Sequence, residues 1–145
     1  MIHKNIIIII LIAIIIVMGG FFVFSNIQNN SGFQPKILIL EEEWDFGKVI
    51  QGEKPTHVFI LKNEGEEDLL IEGIKESCAC IEATISTTLV QSGELAELIA
   101  TYDTTDYEGK DEKHIHIYSN DPREPDKRID LFIEIETIKA PYLDE

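Results

Sequence analysis

The sequence contains few cysteine, histidine and tryptophan residues. It contains two cysteines, one tryptophan and four histidines in 145 residues, and a single residue separates the cysteines. No glycine-rich phosphate-binding loop is present, and the serines and histidines form no nucleophile signature. Residues 37–145 also show no helical periodicity. These absences lead us to expect a protein that is not an enzyme.

Basic residues are scarce as well. All 27 acidic residues but only 10 of the 12 lysines and arginines lie in residues 37–145, so this region carries a net charge of −17. A surface of that charge repels nucleic acid and anionic lipid head groups. The expected partners are therefore cationic or apolar, or are bridged by divalent ions, and nucleic acid is not among them.

The beginning of the chain has the opposite character, with a long run that lacks charge. Residues 6–24 are almost entirely Ile, Val, Phe and Leu, and as a helix they would extend about 28 Å, close to the hydrocarbon thickness of a bilayer. A cleavable signal peptide has a shorter apolar run followed by a small-x-small site, which is missing here. The sequence therefore predicts an uncleaved transmembrane signal anchor, with a cleaved signal as the alternative.

The flanks of this run predict its orientation. Lys4 precedes it and no acidic residue occurs before Glu41, so the positive-inside rule places residues 1–5 in the cytoplasm as a short stub. Residues 25–36 are polar and aperiodic, which predicts a flexible stalk. Residues 37–145 suffice for one domain with a core. We thus expect a single-pass membrane protein whose domain lies outside the cytoplasm.

The domain shows the period-two alternation of β-strands. In residues 56–63 both faces look partly buried, with Val58 and Ile60 on one face and Phe59 and Leu61 on the other. Three further strands each have one apolar face, formed by Ala96, Leu98, Ala100 and Tyr102, by Ile115 and Ile117, and by Ile129, Leu131, Ile133 and Ile135. About seven strands separated by turn signals predict an all-β fold: a seven-stranded immunoglobulin-like β-sandwich preceded by one N-terminal transmembrane helix.

Five short motifs follow one another along this domain. They are Asp45-Phe46-Gly47, Gly52-Glu53, Asn63-Glu64-Gly65, Ser77-Cys78-Ala79-Cys80 and Ser119-Asn120-Asp121-Pro122. In this order and spacing the sequence closely resembles a bacterial family of extracytoplasmic domains of unknown function, over residues 44–136. The resemblance implies an immunoglobulin-like sandwich related to major sperm protein and hydin-type modules, located in the cell envelope, with no established catalytic activity. Ala79 and Ile81 depart from the glycine and threonine usual in that family.

The two cysteines permit four interpretations. In an extended strand Cys78 and Cys80 lie on the same face with Cα atoms about 6.6 Å apart, at the upper limit for a disulfide. A bridge therefore needs a local turn or bulge, although an extracytoplasmic location favours oxidation. Alternatively both are small buried packing residues, or the pair takes part in thiol–disulfide exchange, which more usually employs Cys-x-x-Cys at a helix start.

Metal binding is the fourth interpretation of the pair. Two thiolates on one face suit Cu(I) or half of a tetrahedral zinc site. His114 and His116 also share a strand face and could complete the ligand set. The candidate metal ligands are thus Cys78, Cys80, His114 and His116, whereas the primary expectation is a domain without a cofactor.

These patterns combine into one leading function hypothesis. We expect an extracytoplasmic immunoglobulin-like binding or scaffold module, anchored in the bacterial cell membrane by residues 6–24. Its partner is expected to be another envelope protein, bound for example by strand addition at a sheet edge. The alternatives are a Cu(I)- or Zn-binding envelope domain and a thiol–disulfide exchange partner.

Overall fold

A computed structural model of the chain describes residues 14–16, which are helical, and residues 33–138. The predicted cytoplasmic stub, nearly all of the predicted signal anchor and most of the predicted stalk lie outside the described residues. Within the described part of the chain, no helix has the length and apolar character needed to cross a membrane.

Residues 33–138 form nine strands in two sheets. The strands are β1 (Ile37–Ile39), β2 (Glu43–Ile50), β3 (Thr56–Asn63), β4 (Leu69–Glu76), β5 (Ile81–Ile85), β6 (Leu89–Val90), β7 (Leu95–Tyr102), β8 (Gly109–Ser119) and β9 (Asp126–Glu136). A four-stranded sheet has the order β1-β3-β7-β5, and a five-stranded sheet has the order β2-β9-β8-β4-β6. The all-β prediction is confirmed. The strand count differs from seven because two edge strands, β1 and β6, have only three and two residues.

The core lies between the sheets and is built from alternate residues of the long strands. All ten residues predicted to face inward from β7, β8 and β9 are buried, because inward positions recur every second residue in a strand. On β3 the pattern is one-sided. Phe59 and Leu61 are fully buried, whereas Val58 on the other face is 41% exposed and Ile60 is half-buried.

The first two strands of the domain belong to different sheets. β1 pairs antiparallel with β3, and after a break at residues 40–42 β2 pairs parallel with β9. The pairing shifts register between Asp45 and Lys48. There Gly47 has a φ of 68°, and its N–H donates to the Asp45 carboxylate at 2.8 Å. The Asp-Phe-Gly motif therefore forms a β-bulge, whose left-handed position favours glycine.

A buried carboxylate joins the sheets where the chain enters the sandwich. Asp121 follows β8, is 1% exposed, and accepts the backbone N–H of Ile37 at 2.9 Å. The same side chain accepts the N–H groups of Arg123 at 2.9 Å and Glu124 at 3.3 Å. One side chain of the Ser-Asn-Asp-Pro motif thus fastens β1 of one sheet to the β8–β9 turn of the other.

A buried amide completes this clamp. The Asn63 side chain is fully buried, accepts the N–H groups of Lys36 and Gly65, and donates to the carbonyl of Val90 at 2.9 Å. A Cβ atom at Gly65 would collide with the backbone of residues 34–36, so this position requires glycine. We call the end of the sandwich that holds Asn63 and Asp121 the clamp end.

Removing either polar side chain of the clamp is expected to destabilise the domain. Asn63→Ala and Asp121→Ala are each expected to lower the free energy of unfolding by about 2–3 kcal/mol, because each leaves several buried backbone groups without partners. Urea unfolding followed by the fluorescence of Trp44, the only tryptophan of the chain, measures the change. Gln91→Ala, an exposed position on the neighbouring turn, serves as the control and should stay within about 0.5 kcal/mol of wild type. Equal midpoints for Asp121→Ala and the control would contradict the clamp.

Candidate functional site

The cysteines lie where the chain crosses from one sheet to the other. β4 ends at Glu76 in the five-stranded sheet, and β5 begins at Ile81 in the four-stranded sheet. The intervening residues form a turn in which the N–H of Ile81 donates to the Cys78 carbonyl at 3.3 Å. Within this turn the Cα atoms of Cys78 and Cys80 are 5.2 Å apart and the two sulfurs are bonded as a disulfide. This is the kind of local turn that a bridge between these two positions requires.

Both neighbouring strands hold the cysteine turn in place. Ser77 exchanges hydrogen bonds with His114 of β8, donating its N–H at 2.9 Å and accepting the His114 N–H on Oγ at 3.0 Å. On the other side Asp103, which follows β7, donates its N–H to the Cys80 carbonyl at 2.8 Å. Cys80 is buried and Cys78 is half-buried against the core. The turn is thus fixed by the backbone as well as by the disulfide. We call this end of the sandwich the cysteine end.

The two histidines lie on a different surface from the cysteines. Ile115 and Ile117 point into the core, so His114 and His116 point outward from the five-stranded sheet. The centroids of their rings are 5.3 Å apart, and Nδ1 of His116 lies 2.7 Å from the Asp126 carboxylate.

The predicted metal ligands are therefore not brought together. The cysteines pack on the core side and are bonded to each other. The part of the chain that the structure describes contains no group of three or more His, Cys, Asp or Glu side chains that could hold a metal ion. The copper or zinc hypothesis stays a prediction, without a ligand set in this structure.

Carboxylates near the cysteine end are engaged in ion pairs. Hydrogen bonds from Lys54 and Thr105 lower the pKa of Asp103 to about 2. Partial burial of Asp111 opposes its ionisation, but hydrogen bonds from Lys113 and Tyr102 outweigh it and lower the pKa of that carboxyl. Both carboxylates are ionised at neutral pH, so neither is suited to be a general acid.

Burial and the bond to Asp111 raise the pKa of the Tyr102 hydroxyl well above its ordinary value. Its hydroxyl donates to Oδ2 of Asp111 at 2.5 Å. The phenol is therefore held protonated and acts as a structural donor at the cysteine end.

The outer face of the four-stranded sheet carries an apolar cluster on β1, β3 and β7. We define the apolar face by its outward-pointing side chains Leu38, Leu40, Val58, Ile60, Leu95 and Ile99. Val58 and Ile99 are directly opposite each other and are each 41% exposed, and Leu40 and Leu95 are more exposed still. Only Lys62 and Glu97 are charged among the outward positions of β3 and β7. A clustered apolar surface of this kind typically marks an interaction site.

One sheet edge near the cysteine end is also distinctive. In β5 the residues Cys80, Glu82, Thr84 and Ser86 exchange backbone hydrogen bonds with β7, so the backbone groups of Ala83 and Ile85 point away from the sheet. The N–H of Ala83 is covered only by the carboxylate of Glu76, at 3.3 Å. Among residues 33–138 no strand pairs with this edge.

Sequence reasoning located the cysteines and histidines and expected docking at a sheet edge, but it did not identify which edge, and it missed the apolar face. The apolar face was visible only as the two-sided pattern of residues 56–63, because alternation does not tell which faces are covered. The contact between Glu76 and Ala83 has no sequence signal, since it depends on how the turn brings β5 beside β4.

Comparison with known proteins agrees with this fold. A family model described as a protein of unknown function (DUF1573) matches residues 37–134. No curated protein matches the chain.

Several solved structures are similar to this chain in fold. A protein of unknown function from Porphyromonas gingivalis W83 superposes with a TM-score of 0.64 at 20% identity, covering 72% of this chain and 49% of that one. The chain thus spans about half the length of that protein. The ASH/PapD-like domain 7 of human CEP192 gives 0.61 at 14% identity, covering 76% and 92%. The YadV chaperone gives 0.52 at 15%, covering 72% and 54%. These similarities establish a PapD-like, immunoglobulin-like β-sandwich and nothing about activity.

The cysteine turn leads to a prediction about its oxidation state. The full chain, purified after export into an oxidising compartment, should have a denatured mass two hydrogen atoms below the reduced form. Reduction should cost only about 1–2 kcal/mol of stability because the closed loop is very short, so the reduced chain should remain folded. Intact mass spectrometry and urea unfolding measure these two quantities.

The Cys78→Ser, Cys80→Ser double variant is the control for that experiment. Its mass should not change on reduction, and its stability should match that of the reduced wild type. A wild-type chain with free thiols and one bound copper or zinc ion, absent from the double variant, would instead establish the metal alternative.

Proposed function

Because this chain belongs to the DUF1573 family of proteins of unknown function, we propose a role from its own surfaces: a membrane-anchored, extracytoplasmic binding module for another envelope protein. The apolar face is the observation that carries this proposal. It is a cluster of outward-pointing apolar side chains, four of them exposed, on a domain whose inward-pointing residues already form a core. A protein surface is the ligand that best fits a flat face of this kind.

The charge of the domain defines the chemistry of the partner. Residues 37–145 carry a net charge of −17, whereas the central strands of the apolar face contribute one lysine and one glutamate outward. An apolar partner surface surrounded by lysine and arginine would match both the face and its acidic surroundings. Complementary charge of this kind mainly accelerates association and excludes wrong partners.

A binding role also fits the polar groups of the domain. Asn63 and Asp121 are used in the clamp, and Tyr102 and Asp111 bond to each other. Among the described residues, an open pocket beside the disulfide is lined by Ala79, Cys80, Asp103, Asp106 and Tyr107. We therefore propose a role without catalysis and without a cofactor.

Photo-crosslinking in native cells tests the binding role. A photo-reactive amino acid in place of Ile99 should yield a discrete crosslinked product of higher mass, because Ile99 lies at the centre of the apolar face. Introducing Leu95→Lys into the same chain should reduce that product several-fold, since a buried unpaired charge opposes association. Gel analysis of the crosslinked chain measures both results.

A matched position on the other sheet provides the control. Glu134 lies on the outer side of β9 in the five-stranded sheet, and the same photo-reactive residue there should give little product. Equal products from the two positions, or none from Ile99, would contradict docking on the apolar face.

The anchor is a separate part of the proposal. The uncharged run of residues 6–24 supports it, and we expect the full chain to sediment with membranes and resist extraction by high salt and alkali. A variant with three of these isoleucines replaced by arginine should lose membrane association, because each central arginine costs about 3 kcal/mol on insertion. Externally added protease should digest the domain in spheroplasts. Protection of the domain until the membrane is broken would refute the extracytoplasmic orientation.

A further inference from the structure

We infer that the free edge of β5 is a second docking site, specific for an extended, basic protein segment that adds to the four-stranded sheet as a fifth strand. This inference rests on the proposed binding function and names a different surface from the apolar face. The outward backbone groups of Ala83 and Ile85 supply the hydrogen-bonding edge. Strand addition of this type takes its affinity from the main chain and its specificity from alternate side chains.

The other three edge strands, β1, β2 and β6, are protected in ways that β5 is not. β2 is broken by the bulge at Asp45–Lys48, and β6 has only two residues. β1 has three residues, and the N–H of Ile37 is held by Asp121. Bulges and short edge strands are standard protections against pairing. β5 has five residues in unbroken register with β7, so it offers the longest regular free edge among the described residues.

The side of the sandwich next to β5 is also open in the other sheet. β6 pairs with β4 only at Leu69 and Leu70, so the end of β4 has a strand partner on one side alone. Four apolar residues pack against the core along this seam while remaining partly exposed: Ile74, Cys78, Ala83 and Ile85. An added strand with apolar residues at alternate positions would cover them and complete the core on this side.

Glu76 occupies the seam in the absence of a partner. It faces inward opposite Ile115, and its carboxylate accepts the N–H of Ala83. A side-chain oxygen thus stands where the carbonyl of an added strand would lie. Glu72 and Glu82 are exposed on either side of the same seam, and together these acids favour lysine or arginine in the incoming segment.

A synthetic peptide tests the site on the full chain in mild detergent. The probe is a fluorescent nine-residue peptide that alternates valine with lysine and threonine. We expect saturable binding, with the largest amide chemical-shift changes at Ala83 and Ile85. The same peptide N-methylated at alternate residues loses the main-chain hydrogen bonds on one edge and should bind at least about tenfold more weakly.

Two substitutions at Glu76 separate the effect of its hydrogen bond to Ala83 from the effect of its charge. Glu76→Gln loses the charge but keeps an oxygen acceptor for Ala83, whereas Glu76→Ala loses both. Glu76→Ala is expected to bind the peptide about three- to tenfold more tightly than Glu76→Gln, because one competing hydrogen bond has been removed. Glu72→Ala, which removes an acid from the same side without touching Ala83, should weaken binding slightly.

The outcomes distinguish this site from the proposed function. Equal affinities for the two Glu76 variants, or equal binding of the N-methylated peptide, would overturn strand addition at β5. Shift changes at Val58 and Ile99 in place of Ala83 would also overturn it, by assigning the peptide to the apolar face. Either result leaves the binding role intact if Ile99 still gives its crosslink, whereas loss of that crosslink with unchanged peptide binding would refute the apolar face alone.

Discussion

The sandwich depends on polar groups that join its two sheets at the places where the chain passes between them. At the clamp end the Asp121 carboxylate accepts the N–H of Ile37, so β1 and the β8–β9 turn are held together across the core boundary. At the cysteine end the cysteine turn and the Glu76–Ala83 contact join β4 to β5. Buried backbone N–H and C=O groups need hydrogen-bond partners. At these crossings, where the backbone groups have no partner in a neighbouring strand, the few side chains named here supply them.

The difference between the two ends explains why one is structural and the other is a candidate site. Asn63 and Asp121 are almost completely buried and have several partners each, so a ligand could not compete for them without opening the fold. Glu76 makes a single contact at 3.3 Å to a strand edge that is otherwise uncovered. A contact of that kind can be exchanged for another acceptor while the sandwich stays intact.

The core of this fold was predictable from the sequence, whereas the apolar face and the particular edge that is free were not. Period-two alternation identified the inward residues of β7, β8 and β9 because burial of one face imposes that period directly on the residues. The same rule applied to β3 suggested two partly covered faces, since it cannot tell a covered outer face from an apolar one that is exposed, as at Val58. The sequence identified the cysteine pair but left open whether the two sulfurs are bonded. The bond requires a turn that brings the two Cα atoms to 5.2 Å, closer than an extended strand does. The histidines share a face as expected, but that face points away from the cysteines.

The acidic charge of the domain affects which molecules can approach these two surfaces. An apolar face and an open strand edge both invite self-association, because each copy of the chain presents the same complementary surface to every other copy. With a net charge of −17 on residues 37–145, two copies repel each other before either surface can meet its counterpart. A basic partner experiences the opposite force from the same charges. Under the proposed binding role, the scarcity of lysine and arginine would favour a positively charged partner over a second copy, independently of the contact surface itself.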